Sequence, residues 1–199
     1  YDNSKAPKGK EIWGLDEDAS ITFKGYGSAN VIEDVTLRNI TIYDQTVGDD
    51  EESWGHGYLE IRNLVAENVV FEDIIQLSGT CDLTDCTFNN EVEGFYALWV
   101  NQGSTILKGC DFTGTCGVKI HDDSTQKDRE MSLVIEKCDF VLSEKPGVVI
   151  GDLGAEAVVS ITGSSFACQA GDQEKYIYES DTEVTTFQFT ESDNTVVTQ

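Results

Sequence analysis

The chain has 199 residues, with 13 Lys plus Arg against 37 Asp plus Glu, and a formal net charge of −24 at pH 7. Nucleic acid and anionic membranes are excluded as partners, because phosphate binding depends on clustered cations. Apolar residues make up 39% and aromatics 10%, enough for a substantial core, so the acidity belongs on the surface of one folded domain covering residues 1–199.

In chain order, residues 1–19, with Ile12 and Trp13, read as a segment that caps one end of that core. Six passages of one design follow: an apolar residue, two turn formers, a small or apolar residue, a variable residue, then an aromatic or Ile. They are Leu37–Ile42, Ala66–Phe71, Leu83–Phe88, Leu107–Phe112, Ile135–Phe140 and Ile161–Phe166, with starts between 17 and 29 residues apart. Apolar residues alternate before each turn, as in Val35/Leu37, Leu64/Ala66, Cys81/Leu83, Leu133/Ile135 and Val159/Ile161, and again after it, so each passage joins two short strands. A third strand follows in most repeats: Leu59/Ile61, Leu98/Val100, Val118/Ile120 and Val148/Ile150, with Ile177 in the last.

Strands this short are not stable alone, but stacked in parallel about 4.8 Å apart they form one continuous core. The fold class is therefore all-β, a right-handed parallel β-helix with three sides and about six to eight coils. Residues 176–199, with Phe187 and Phe189, read as the second cap. One register is open to choice. Ile61–Ala66 also fits the pattern, but a turn at Asn68 gives Phe71 the inward aromatic position and is preferred.

In this register Cys86, Cys110 and Cys138 share one inward column with Ile40, Val69 and Ser164, while Phe71, Phe88, Phe112, Phe140 and Phe166 form another. Both read as core filling, with reduced, slow-reacting thiols. The six cysteines contain no CxxC pair, so neither zinc nor a disulfide scaffold is indicated; Cys116 and Cys168 fall at loop positions and are the pair expected to be exposed. Outward positions are more informative, because a β-helix does not need them apolar. Val65, Ile106 and Val134 lie outward on the first strand and Trp99, Lys119 and Val149 on the third, with Tyr96 and either Tyr176 or Tyr178 nearby. They make a candidate contact surface for protein or sugar rings.

Two loops concentrate polar chemistry. Tyr43 to Gly57 holds Asp49, Asp50, Glu51, Glu52, Trp54 and His56, and His121 to Glu130 holds Asp122, Asp123 and Asp128 beside Lys127 and Arg129. Solvated acidic loops are the simplest reading. Asp49, Asp50, Asp122 and Asp123 are also candidate calcium ligands, although neither loop has the ligand order of an EF-hand, and no other cofactor is expected. Acid–base chemistry on Asp49 to His56 or His121 to Asp123 is the alternative use. No apolar run reaches the roughly 20 residues needed to cross a bilayer. The sequence starts at Tyr1, without signal-peptide order, which reads as a mature product or a domain of a longer protein.

The repeats resemble the right-handed parallel β-helix superfamily of pectate lyases, polygalacturonases and pectin methylesterases. Leu64–Phe71 is similar to the strand–turn–strand segment of the methylesterases, and Gly94–Val100 and Gly114–Ile120 occur in the order of their two signature segments. The family's Gln, acid/base Asp and nucleophilic Asp correspond here to Phe95, Tyr96 and Gly117, so the resemblance implies the fold without the activity, and no catalytic residue is assigned. Gly55-His56-Gly57 resembles a short polygalacturonase motif. More loosely, Glu144–Asp152 and Tyr176–Asp181 resemble β-helix modules in large surface proteins of Gram-positive gut anaerobes. That likeness implies a secreted or cell-surface bacterial protein and an adhesin role, with a host protein such as an immunoglobulin or mucin-type glycoprotein, or a neutral glycan, as ligand, and with neighbouring domains of the same chain as further partners. Trp54, His56, Tyr96, Trp99, Lys119 and Tyr176 are the candidate binding residues. A carbohydrate-active enzyme and a structural spacer are the alternatives.

Overall fold

A computed structural model describes residues 8–16, 18–26, 31–47, 58–122, 124, 129–144, 146–151, 153–154, 156–168, 178–180 and 187–197. These residues form a single parallel β-solenoid of about six turns, and every strand pairing in it is parallel. Three faces result. The first carries the strand before the shared turn, the second the strand after it, and the third closes the coil.

The corner between the first two faces explains the two turn-forming residues of the repeat. One of them takes the left-handed backbone region in every repeat: Asn39, Asn68, Asp85, Gly109, Lys137 and Gly163 have φ between 52° and 60°. Asn, Asp and Gly reach this region at least cost, whereas Lys137 carries the penalty of a Cβ there. The corner fixes the disputed register. Leu37 pairs with Ala66, Ile40 with Val69 and Ile42 with Phe71, so the turn falls at Asn68. Asn68 also donates through Nδ2 to Asn39 Oδ1 at 2.9 Å.

The inward columns follow from the corner. Rings of Phe71, Phe88, Phe112, Phe140 and Phe166 stack with centroids 4.6–4.9 Å apart and interplanar angles of 16° or less, a spacing set by the strand separation. All five are fully buried. Gly147 makes room for them, because a Cβ there would lie 2.3 Å from Phe166.

The cysteine column is more than filling. The backbone N–H of Cys110 donates to Cys138 Sγ at 3.4 Å, that of Cys138 to Ser164 Oγ at 3.1 Å, and that of Ser164 to Asn194 Oδ1 at 3.0 Å. Each side chain in turn donates to a carbonyl: Cys110 to Lys108, Cys138 to Glu136, Ser164 to Thr162, and Asn194 to Ile161. From Cys110 onward the position holds a small group that both donates and accepts, whereas Ile40 and Val69 fill it with hydrocarbon in the earlier coils. Cys, Ser and Asn all qualify, which accounts for their interchange down the column.

The structure corrects the sequence reading in several places. Cys116 and Cys168 are buried, not exposed, like the other four free cysteines. Second-face strands run beyond the Phe, so that Asn90, Leu142 and Cys168 make one more inward position; burial pushes the Cys168 thiol up to about 12. Val149 is also buried, at 4% exposure. The third face has two more members than the sequence pattern names: Ile75/Leu77, paired with Leu59/Ile61 and with Leu98/Val100, and the start of the strand at Val31, whose buried Ile32 pairs with Ile61. Its last strand is Tyr178–Ser180, with Tyr178 opposite Val148, and Ile177 lies outside the described residues.

Each end carries a further coil. Lys8–Trp13 and Ser20–Tyr26 pair with the first and second faces of the next coil, their corner lengthened by the insertion Gly14–Ala19. At the other end Gln188–Ser192 and Thr195–Val196 continue the same faces, with Asp193 at φ 57° in the corner. Along the outward side, Arg38 pairs with Glu11 and Glu67, and Arg62 with Glu33 and Glu60. Asp111 and Asp139 stand directly opposite one another.

Two stability measurements test this description. Cys138→Ser should stay within about 1 kcal/mol of the parent in urea unfolding. Cys138→Val, although apolar, strands the Cys110 N–H and should lose about 1–3 kcal/mol; equal stability of the two variants would return the column to simple filling. Second, burial and then the neighbouring Asp139 charge raise the pKa of Asp111, so its ionised form is disfavoured in the folded state. That destabilisation is present above the folded pKa and gone below the unfolded value near ~3.9. Asp111→Asn should therefore raise the melting temperature at pH 7 and leave it unchanged at pH 3.

Candidate functional site

The third face brings four of its outward side chains into one cluster. Trp99 and Lys119 are register partners on neighbouring coils, and the loop Glu91–Ala97 carries Tyr96 against them. Tyr96 and Trp99 meet edge to face at 5.4 Å and 82°, and Trp99 and His121 at 5.4 Å and 76°. The Lys119 ammonium lies 5.6 Å from both the Tyr96 and the Trp99 centroid. All four residues are partly exposed. A β-helix core needs none of them, since the inward neighbours Leu98, Val100, Val118 and Ile120 already fill the coil.

The loop that follows His121 is anchored by one carboxylate. Asp122, fully shielded from solvent, accepts from Ser124 N at 2.8 Å and Arg129 N at 3.2 Å, with the Arg129 Nε 3.6 Å away. Burial alone would raise its pKa, but the Ser124 hydrogen bonds and the Arg129 N–H and charge outweigh it and hold the carboxyl below the ordinary value. Asp122 thus ties Ser124 and Arg129 to the end of the third-face strand, where the His121 N–H is held by the Val100 carbonyl at 3.1 Å.

Of the residues singled out in the sequence, Tyr96, Trp99 and Lys119 come together here. Asp49, Asp50, Trp54, His56, Asp123 and Tyr176 lie outside the described residues. Among the described residues no group of three or more His, Cys, Asp or Glu side chains could hold a metal ion. Two residues take places other than the sequence reading gives them, in which His121 and Arg129 belong to the polar loop and His121 is a candidate for acid–base chemistry. His121 extends the outward alternation that starts at Lys119, a signal that was present, whereas the partnership of Arg129 with Asp122 spans seven residues of loop and left no pattern.

Gly117, the counterpart of the methylesterase nucleophile, has no room for a side chain. A Cβ on it would lie 2.2 Å from the Gly147 carbonyl oxygen and 3.1 Å from Leu142. A carboxylate at this position would require the backbone to move. The cysteine column offers no accessible nucleophile either. Hydrogen bonding with Cys110, followed by burial, holds the Cys86 and Cys138 thiols far above the usual range, and all three side chains are fully buried.

A separate cavity of about 400 Å³ opens at the first corner, lined by Leu15, Asp16, Asn39, Ile40, Asn68 and Val70 among others. Gly14, Leu15 and Asp16, which follow the strand ending at Trp13, form one side of it. Comparison with family models, with curated proteins and with solved structures finds no match to this chain.

Asp122→Asn tests the anchor. A lowered folded pKa contributes stability that is complete above the unfolded value near ~3.9 and is lost as pH falls through the folded one. The substitution should cost about 1.5–3 kcal/mol at pH 7 and progressively less below pH 4, with a change in tryptophan emission as His121 loosens from Trp99. An unchanged melting curve at pH 7 would remove Asp122 from this role.

Proposed function

We propose that the chain is a non-catalytic ligand-binding module of adhesin type, belonging to a secreted or cell-surface bacterial protein. The observation that carries the reading is the outward cluster of Tyr96, Trp99, Lys119 and His121, placed where the β-helix has no structural use for aromatic rings. Two ring faces at right angles offer apolar surface to the C–H face of a sugar or to an apolar side chain, while the ammonium and imidazole supply hydrogen-bond donors. Trp and Tyr are the residues in which binding energy concentrates. The ligand class is a neutral glycan or a host protein such as an immunoglobulin or a mucin-type glycoprotein. The likeness of the repeats to the pectate-lyase superfamily and to surface modules of gut anaerobes supports the same setting, and the closed position at Gly117 supports the absence of esterase chemistry.

A glycan array together with pull-down from mucin and immunoglobulin preparations tests the proposal. Binding should appear on one of these, and Trp99→Ala should weaken it by at least about tenfold, about 1.4 kcal/mol, with an unchanged melting temperature. Absence of any ligand, or binding indifferent to both Trp99→Ala and Tyr96→Ala, would overturn it.

A further inference from the structure

The two ends of the solenoid carry charge where its core columns carry uncharged side chains. At one end Lys10 is the register partner of Val35, on the inward phase of a strand whose Ile12 packs against the core and whose Glu11 and Trp13 face out toward Arg38. At the other end Glu191 is the register partner of Ile161, two residues after Phe189, which also packs against the core. Lys10 and Glu191 are both exposed. In the coils between them the same positions are Val35, Leu64, Cys81, Thr105, Leu133 and Val159 in one column and Leu37, Ala66, Leu83, Leu107, Ile135 and Ile161 in the other, all buried and uncharged.

We propose that Lys10 and Glu191 oppose head-to-tail stacking of a second copy of the chain on the end coils of the described solenoid. The rest of each end favours addition. Among the described residues no strand pairs with the outer edges of Lys8–Trp13 and Gln188–Ser192, Ile12 and Phe189 are only partly covered, and Val196 is 38% exposed. Such edges are templates for further pairing unless something opposes it. A copy stacked head to tail in register would set Lys10 on Phe189 and Glu191 on Ile12, placing each charge in a dry column against hydrocarbon without a partner directly opposite. Lys8 and Lys10 at one end and Glu191 and Asp193 at the other attract at long range, but salt screens that attraction, and the desolvation at contact decides the outcome. Asn194 completes the second end: its amide satisfies Ser164 N and Ile161 O of the coil beneath, so that coil asks for no further partner at the corner. This inference is independent of the ligand proposed for Trp99.

The test removes the charges. The wild-type chain should run as a monomer in size-exclusion chromatography with light scattering, at both 20 mM and 150 mM salt. Lys10→Val/Glu191→Ile should keep the far-ultraviolet spectrum and melt at the same or a higher temperature, yet self-associate at a concentration at least about tenfold lower than the wild type, giving linear particles by electron microscopy. Lys10→Met/Glu191→Gln, neutral at nearly constant size, serves if the first pair does not fold and should behave alike. Head-to-tail multimers of the wild type, or folded neutral variants that stay monomeric, would overturn the proposal.

Discussion

A left-handed residue at one corner sets the geometry of this molecule. With φ close to 55° at Asn39, Asn68, Asp85, Gly109, Lys137 and Gly163, the chain turns from first face to second in the same way on every coil, and the next residue always points inward. Once that residue is fixed, its neighbours fall into columns: Ile40 and Val69, then thiol, hydroxyl or amide, at the corner, and Ile42 followed by five phenyl rings two positions on. Parallel pairing then fixes the axial spacing, and the five rings stack at 4.6–4.9 Å because the backbones carrying them do. Offset or edge-to-face contacts suit isolated aromatic pairs better, so the ring column is a consequence of strand spacing, reinforced by burial.

Tolerance to insertion differs among the corners for the same reason. From Asn68 to Asp85 a coil closes in 17 residues, with only Asp73 and Ile74 between the second and third faces. Elsewhere the extra residues enter beside the third face, as Glu91–Ala97 and the segment after His121 do, and leave the left-handed corner intact. The exception is Gly14–Ala19, which lengthens that corner in the first coil, where the cavity lies. The side chains that cluster around Trp99 come from insertions of the common kind, so the surface chemistry varies on a backbone that does not.

Much of this was legible in the amino-acid order because the corner has a compositional signature and the columns a period of two. The Asn68 turn could be preferred from Phe71 alone, and the Phe column and the third-face strands followed. What escaped had physical causes. The first coil was hidden by its insertion and the last by Glu191 and Asn194 standing where apolar residues were sought. Cys168 was read as a loop residue because the second-face strand was ended at the Phe, whereas it continues for another inward position; Cys116 does lie in the connection between Gly114 and Val118, but that connection is itself buried. Cysteine was read as a small hydrophobe because a hydrogen bond between a backbone N–H and a sulfur one coil away leaves no trace in linear sequence. The site was legible as far as Tyr96, Trp99 and Lys119, whose outward placement follows from strand alternation; the carboxylate clasp of Asp122 depends on how a loop closes.

The direction of the interstrand hydrogen bonds bears on how the protein answers force. In a solenoid these bonds run along the axis, so tension between the two ends pulls them apart in line and strips coils from an end rather than shearing strands past one another. Each coil contacts mainly its neighbours, and one of about 25 residues, at roughly 3.4 Å per extended residue, releases on the order of 85 Å of chain. Under load the molecule lengthens in a series of such steps, and the coil bearing Trp99, in the interior of the stack, is among the last to open.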